Sequence, residues 1–330
     1  MFFHPSSNFF FFLLMFSLLM MISMSSWFMI WFFIEMNLLS FIPLILIKKN
    51  KYNVECSLKY FFIQTFSSIL ILVGLMMMFM GLEMYNYFFI SGLAIKLGLA
   101  PFHQWLINIM ESLDWPLIMI LLSIQKVGPF VLLGYIYSMK ESLIYILYLI
   151  SLLCAFFGCF GGLFSSSLQK IMGFSSISHS SWMLLGLIKT LNLWIFYFFF
   201  YVIILFSILY IFNSFNIKSL NHVFMKLNFF TSLVLGVSFL SMGGLPPLTG
   251  FVPKFIFMYE FFVYYNYFTM IFLLFSVFIS LFFYSRLFIF NFLFQMSKNS
   301  FMKFNNKKIS LVLYTNTAGF ILIPLLICLY

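Results

Sequence analysis

The side chains in this sequence that could do acid–base chemistry sit where an ionisable group is least expected. Glu35 lies inside the apolar run Trp31-Phe-Phe-Ile-Glu35-Met-Asn-Leu-Leu-Ser40, and Lys126 inside Ser123-Ile-Gln-Lys126-Val-Gly-Pro129. Lys96 and Lys254 each stand beside a Gly/Pro cluster within a long hydrophobic stretch. Burial strips water from an ammonium and favours its neutral form, while a nearby carboxylate favours the charged form, so a rearranging Glu–Lys pair can pass a proton on. Glu35 is the only acid buried mid-span before Glu260, which makes Lys96 its candidate partner across neighbouring helices. A static pair that holds helices together is the simpler alternative. His179, in Ser175-Ser-Ile-Ser-His179-Ser-Ser-Trp182, is surrounded by hydroxyls that could carry water along a proton path or serve only as interhelical hydrogen-bond glue.

Other chemistries find no support. There is no Gly-rich phosphate loop, no paired carboxylate motif and no nucleophile beside a base. Cys56, Cys154, Cys159 and Cys328 show no CxxC spacing and no histidines at metal spacing, so they read as small apolar fillers. Of the four histidines, His4 is terminal and His222 lies in a loop, and His103 with His179 is an unconvincing haem pair. The net charge of +10 places its lysines in short loops between hydrophobic spans, where they set orientation and imply no nucleic-acid partner.

The elements that must position these groups follow from composition. With 64% hydrophobic and 7% charged residues, against roughly 25% charged in soluble domains, the chain cannot assemble a water-exposed surface. Apolar runs of about 20 residues, each able to cross the hydrocarbon core as a helix, follow one another from Phe9 to Tyr330. The expected fold is an all-α polytopic membrane protein, one transmembrane domain over residues 1–330, with about eleven spans: 9–25, 27–47, 58–80, 85–109, 117–137, 142–162, 168–188, 193–213, 229–262, 267–292 and 311–330. The polar stretches Asn213–Asn228 and Gln295–Ser310 are too short for a cofactor-binding domain, so nucleotide or iron–sulfur chemistry must belong to another chain. The first apolar run lacks the charged flank of a signal or transit peptide and reads as the first span. Abundant Phe and Met (53 and 23) fit the A+T-rich codons of an organelle gene.

Loop lysines separate by side. Lys48, Lys49, Lys51, Lys170, Lys218, Lys226, Lys298, Lys303, Lys307 and Lys308 fall on one face and Lys140 and Lys189 on the other, which predicts the N-terminus on the matrix or cytoplasmic side and the C-terminus opposite. Lys59, Lys140, Glu141 and Lys189 are near enough to span ends to reach the interface as anchors.

Two spans carry breakers near mid-length: Gly98, Ala100 and Pro101 after Lys96, and Gly243-Gly244-Leu245-Pro246-Pro247 with Gly250 before Pro253-Lys254. Broken helices at membrane depth persist only where protein or water lines the gap, and a matching pair points to a transport site.

Several of these segments together resemble a known family. Glu35-Met-Asn-Leu-Leu-Ser-Phe-Ile-Pro43, Leu58-Lys-Tyr-Phe, Lys96-Leu-Gly-Leu-Ala-Pro-Phe-His103, Gln125-Lys126, Lys170-Ile-Met-Gly-Phe-Ser-Ser-Ile-Ser-His179 and Gly243-Gly-Leu-Pro-Pro-Leu-Thr-Gly-Phe-Val-Pro-Lys254 closely resemble chain 2 subunits of mitochondrial NADH–ubiquinone oxidoreductase, respiratory complex I. The resemblance implies an antiporter-like, proton-translocating core subunit of the membrane arm in the mitochondrial inner membrane. It implies a relay in which Glu35 pairs with Lys96, Lys126 is central, Lys254 lies toward the exit and His179 falls between the half-channels. It further implies that FMN, iron–sulfur clusters, NADH and ubiquinone are held by partner subunits, with none bound here. The implied neighbours are antiporter-like chain 4, small membrane subunits, accessory subunits and lipids such as cardiolipin. The chain departs from the family pattern at Leu163–Ser166, Leu168-Gln169-Lys170 and Asn108, positions that bear on contacts with neighbouring subunits. The same buried charges would also serve a stand-alone cation/proton antiporter, and a membrane-arm scaffold without an active path is the third reading.

Overall fold

A computed structural model of the chain describes residues 5–47, 50–139, 143–219, 223, 227–263, 267–296 and 307–319. His4, Lys48, Lys49, Lys140, Glu141, His222, Lys226, Lys298, Lys303, Cys328 and residues 320–330 of the last expected span lie outside the described residues, as do the side chains of Lys307 and Lys308. Every regular element among the described residues is a helix. In order these are α1 (Pro5–Ser23), α2 (Trp27–Leu46), α3 (Lys51–Phe79), α4 (Tyr85–Leu97), α5 (Gln104–Ser112), α6 (Trp115–Leu122), α7 (Ile124–Met139), α8 (Ile144–Phe164), α9 (Leu168–Lys189), α10 (Leu191–Ser214), α11 (Phe229–Gly243), α12 (Phe251–Val263), α13 (Tyr267–Met296) and α14 (Lys307–Thr317).

Helix is the structure this sequence can afford in hydrocarbon, because each backbone N–H and C=O must be satisfied within the segment. The serines follow the same logic. Ser40, Ser67, Ser151, Ser207 and Ser276 donate to carbonyls three residues back at 2.6–2.7 Å, which hides their hydroxyls inside their own helices. Large apolar side chains face outward, Phe12, Phe62, Phe268 and Phe278 being 65–74% exposed, as a lipid-facing surface requires.

Eight stretches among the described residues are long and apolar enough to cross a membrane. Seven expected spans coincide with α1, α2, α3, α8, α9, α10 and α13, although α3 begins at Lys51, seven residues before the expected start, and so takes in Glu55. The two expected broken spans each resolve into half-helices, α4 with α5 and α11 with α12. The expected span 117–137 is also interrupted, between α6 and α7 at Ser123 (φ −112°, ψ −79°). No Gly or Pro marks that third break. Pro129 inside α7 instead removes the N–H that would have met the carbonyl of Gln125.

The chain divides into two compact units, Met1–Leu147 and Tyr148–Tyr330. In the first, α1 packs on α2, α2 on α3, α3 on α4, and α4 on α7. In the second, α9 packs on α10, while α11 packs on α10, α13 and α14. A single residue turns the chain between α9 and α10. The N–H of Thr190 bonds Gly186 at 2.9 Å to close α9, and its hydroxyl accepts from the N–H of Leu193 at 3.3 Å to cap α10. Lys189, just before this turn, rests over the Phe261 ring at 5.4 Å.

Candidate functional site

In the first unit the site begins with the end of α4. Gly98 takes a left-handed conformation (φ +66°), which lets its N–H reach Ile95 and that of Leu99 reach Ala94, both at 3.0 Å. Ala100-Pro101, joined by a cis peptide, then carries the chain into α5. Lys96 therefore occupies the last turn of α4, where the partial negative charge of the helix terminus favours a cation.

The polar contacts of Lys96 are made with Gln64. Its Nζ lies 3.4 Å from both the backbone carbonyl and Oε1 of Gln64 on α3, and Gln64 Nε2 returns a 3.5 Å contact to the carbonyl of Lys96. Glu35, half-buried on α2, bears on Lys96 electrostatically but forms no ion pair with it. At low dielectric such a charge acts without direct contact.

Lys96 and Lys126 line one small cavity of about 30 Å³, together with Asn37, Tyr60, Gln64 and Gln125. That volume suits about one water molecule. Its lining is polar where it matters, since the amide nitrogens of Asn37 and Gln125 are both buried without a hydrogen-bond partner and would welcome an acceptor. Lys126 is only 3% exposed and stands in the first turn of α7, its N–H bonded to the carbonyl of Ser123 at 3.0 Å. The Ser123 hydroxyl and N–H both turn back to Met119, at 2.6 and 3.0 Å, which ends α6 and sets the start of α7. Glu35, Lys96 and Lys126 are thus gathered in one unit. Gln64, Gln125 and Asn37 join them, and the sequence signal that could have found them is an amide side chain inside an apolar span.

In the second unit α11 ends at Gly244 (φ +82°), whose N–H reaches Leu240 and Ser241. Lys254, on the first turns of α12, reaches back across the break and donates to the carbonyl of Gly243 at 2.7 Å. A cation here satisfies a terminal carbonyl that α11 leaves without a helical partner. Lys254 is 7% exposed.

His179 is 7% exposed on α9, with Nδ1 2.8 Å from the hydroxyl of Tyr197. Trp182 stacks on Tyr197, and Phe257 of α12 meets both rings edge-on. The ring of Tyr201 lies 5.3 Å from that of His179, and Tyr197, Tyr201 and Tyr284 are among the largest fully buried side chains. Sequence reasoning missed these tyrosines, because nothing local separates them from the fifteen others. In sequence the neighbouring hydroxyls are open to two readings, a water-carrying path or interhelical glue. Instead Ser175, Ser176, Ser178, Ser180 and Ser181 each donate to a carbonyl three residues back at 2.6–2.8 Å, and so offer only acceptor lone pairs to anything else.

Lysines beside three helix breaks in an all-helical chain with long apolar helices are the arrangement of an antiporter-like membrane protein, and residues 24–280 match the family model described as NADH:quinone oxidoreductase/Mrp antiporter, transmembrane. The chain belongs more particularly to the NADH-ubiquinone oxidoreductase chain 2 family: it is 38% identical over 310 residues to that protein from Anopheles gambiae, covering 89% of both chains. In fold it is similar to a chain of respiratory complex I from Thermus thermophilus, with a TM-score of 0.80 at 19% identity over 97% of this chain and 77% of that one. It is also similar to a chain of the Mrp complex from Dietzia sp. DQ12-45-1b, with a TM-score of 0.69 at 15% identity over 87% and 59% of the two chains.

Proposed function

We propose that this chain is a proton-translocating core subunit in the membrane arm of respiratory complex I, driven by electron transfer from NADH to ubiquinone in partner subunits. The observation that carries the reading is the cavity shared by Lys96 and Lys126. Two ammonium groups facing one small polar space repel each other when both are charged, so protonation of one favours release from the other. Glu35 adds a charge that biases Lys96, and a change in its protonation or position shifts the pair. Lys254 holds a terminal carbonyl in the second unit and is the exit-side lysine of the proposed relay, and His179 with Tyr197 offers a polar station in the same unit.

The whole of 1–330 acts as one antiporter-like transmembrane domain in the mitochondrial inner membrane, with the N-terminus on the matrix side and the C-terminus toward the intermembrane space. FMN, iron–sulfur clusters, NADH and ubiquinone belong to partner chains. Neighbouring antiporter-like chain 4, small membrane subunits and accessory subunits flank it, and lipids such as cardiolipin cover its apolar face. The test is Lys126→Met in the intact complex. The expected result is fewer protons pumped per NADH oxidised, and an unchanged ratio in a fully assembled complex would leave a membrane-arm scaffold as the better reading.

The family model spans Mrp antiporters as well, which favours a stand-alone cation/proton antiporter as the second reading. Purification separates the two, since the complex I reading requires the chain to travel with NADH:ubiquinone reductase activity.

A further inference from the structure

The break that holds Lys254 is tied from outside by a residue the relay does not use. Asn316, on α14, is fully buried and makes four hydrogen bonds that meet three other parts of the second unit. Its Nδ2 donates to Val312 O at 3.0 Å and to Ser207 Oγ on α10 at 3.2 Å. Its Oδ1 lies 3.0 Å from Ser241 Oγ on α11, whose single hydroxyl proton it shares with the Ser238 carbonyl at 2.7 Å, and its backbone carbonyl accepts the N–H of Thr249 at 3.1 Å. The amide orientation is fixed by chemistry, because a backbone carbonyl such as that of Val312 can only accept and must face the nitrogen.

Ser241 and Thr249 flank the break. Ser241 lies in the last turn of α11, two residues before the Gly243 carbonyl that receives Lys254, and Thr249 lies two residues before α12, which carries Lys254. Asn316 therefore meets both sides of the gap across which Lys254 must reach, the α11 side through its amide and the α12 side through its backbone carbonyl. The space is closed as well: a Cβ on Gly250 would collide with the carbonyl of Ser241, and one on Gly319 with the backbone of Leu248 and Thr249. A side chain with both a donor and an acceptor is required here. Leucine supplies neither, and aspartate supplies no donor for Val312 and Ser207.

We propose that Asn316 is a positioning residue for Lys254, holding the α11–α12 break closed so that the lysine keeps its bond to Gly243. The proposal rests on the proton-relay reading and extends it to a helix that carries none of the relay charges. An asparagine that merely stabilised the bundle would act independently of Lys254, whereas one that positions it has nothing left to do once the ammonium is gone.

The experiment measures protons pumped per NADH oxidised in the intact complex in sealed vesicles, with uncoupled NADH oxidation as the control for assembly. The variants are Asn316→Leu, Ser241→Ala, Lys254→Met and each of the first two combined with the third. Asn316→Leu is expected to lower the ratio by about as much as Lys254→Met, and to cause no further loss in the Lys254→Met background. If Asn316→Leu does not assemble, Ser241→Ala decides by the same two comparisons, since it deletes one oxygen, shared between Asn316 and the Ser238 carbonyl, and leaves the other bonds of Asn316 in place. An unchanged ratio in the assembled variant, or losses that add to those of Lys254→Met, overturns the proposal while leaving the relay standing. An unchanged ratio in Lys254→Met overturns both.

Discussion

Lys254 Nζ and the carbonyl of Gly243 meet at 2.7 Å across the gap between two halves of one broken helix. The lysine closes the end of the helix it does not belong to. Its counterpart Lys96 sits before its break, on the arriving half-helix, and turns to Gln64 of a neighbouring helix. The two breaks share the order Gly-Leu-X-Pro, at Gly98–Pro101 and Gly244–Pro247, yet they present their lysines from opposite sides of the gap.

Gly244→Ala should damage this arrangement twice. A left-handed backbone costs a residue with a Cβ about 1–2 kcal/mol, and the new Cβ would stand 2.8 Å from Lys254 Cδ and 2.9 Å from its Nζ. Gly81→Ala supplies the contrast, because Gly81 has φ +70° but nothing within 4 Å of an added Cβ. Survival of the assembled complex after a heat step should fall for both variants, whereas the pumping ratio should fall for Gly244→Ala alone. Equal pumping in the two would show that the Lys254 contact is dispensable.

Gln64→Leu keeps the volume at this 5%-exposed position but removes the side-chain acceptor from Lys96. Both contacts from Lys96 are long, so the loss should fall below the usual range for a charged hydrogen bond, at about 1 kcal/mol, or a few-fold in the rate of NADH-driven pumping. Gln64→Glu retains an acceptor and should pump faster than Gln64→Leu. The reverse order would remove Gln64 from any account of Lys96.

Tyr197→Phe deletes the hydroxyl that meets His179 Nδ1 inside the second unit. Breaking one buried polar pair costs roughly 1–3 kcal/mol, which a heat-survival series would register. Coupling is the sharper measure. The double variant with His179→Phe should be less damaged than the sum of the singles, and simple additivity would mean that the contact contributes nothing.

Lys59 and Glu55 form the opposite case, an i,i+4 ion pair with side chains 52% and 61% exposed. Exposed helical pairs contribute about 0.3–0.5 kcal/mol. Lys59→Gln should therefore match the parent in heat survival and pumping, and a loss as large as that of Gly244→Ala would point to a partner bound at this end of α3.

The sequence by itself determined what is local. Hydropathy over about 20 residues placed seven spans on seven helices, and the Gly-Leu-X-Pro segments placed two breaks, because a proline without an N–H and a glycine free to take positive φ act within one turn. Isolated charges in those spans marked Glu35, Lys96, Lys126 and Lys254, since an ionisable group in hydrocarbon stands out in any window. The tertiary structure decided what joins residues far apart. It gave Lys96 a glutamine as its hydrogen-bond partner, set a break at Ser123 where no Gly or Pro announces one, and brought two buried tyrosines, Tyr197 and Tyr201, against His179. Asn316 meets Ser241 across 75 residues of chain, and Ser207 across 109. An asparagine in an apolar helix reads the same in sequence wherever its amide points, and only the packing of α10, α11 and α14 together selects its partners.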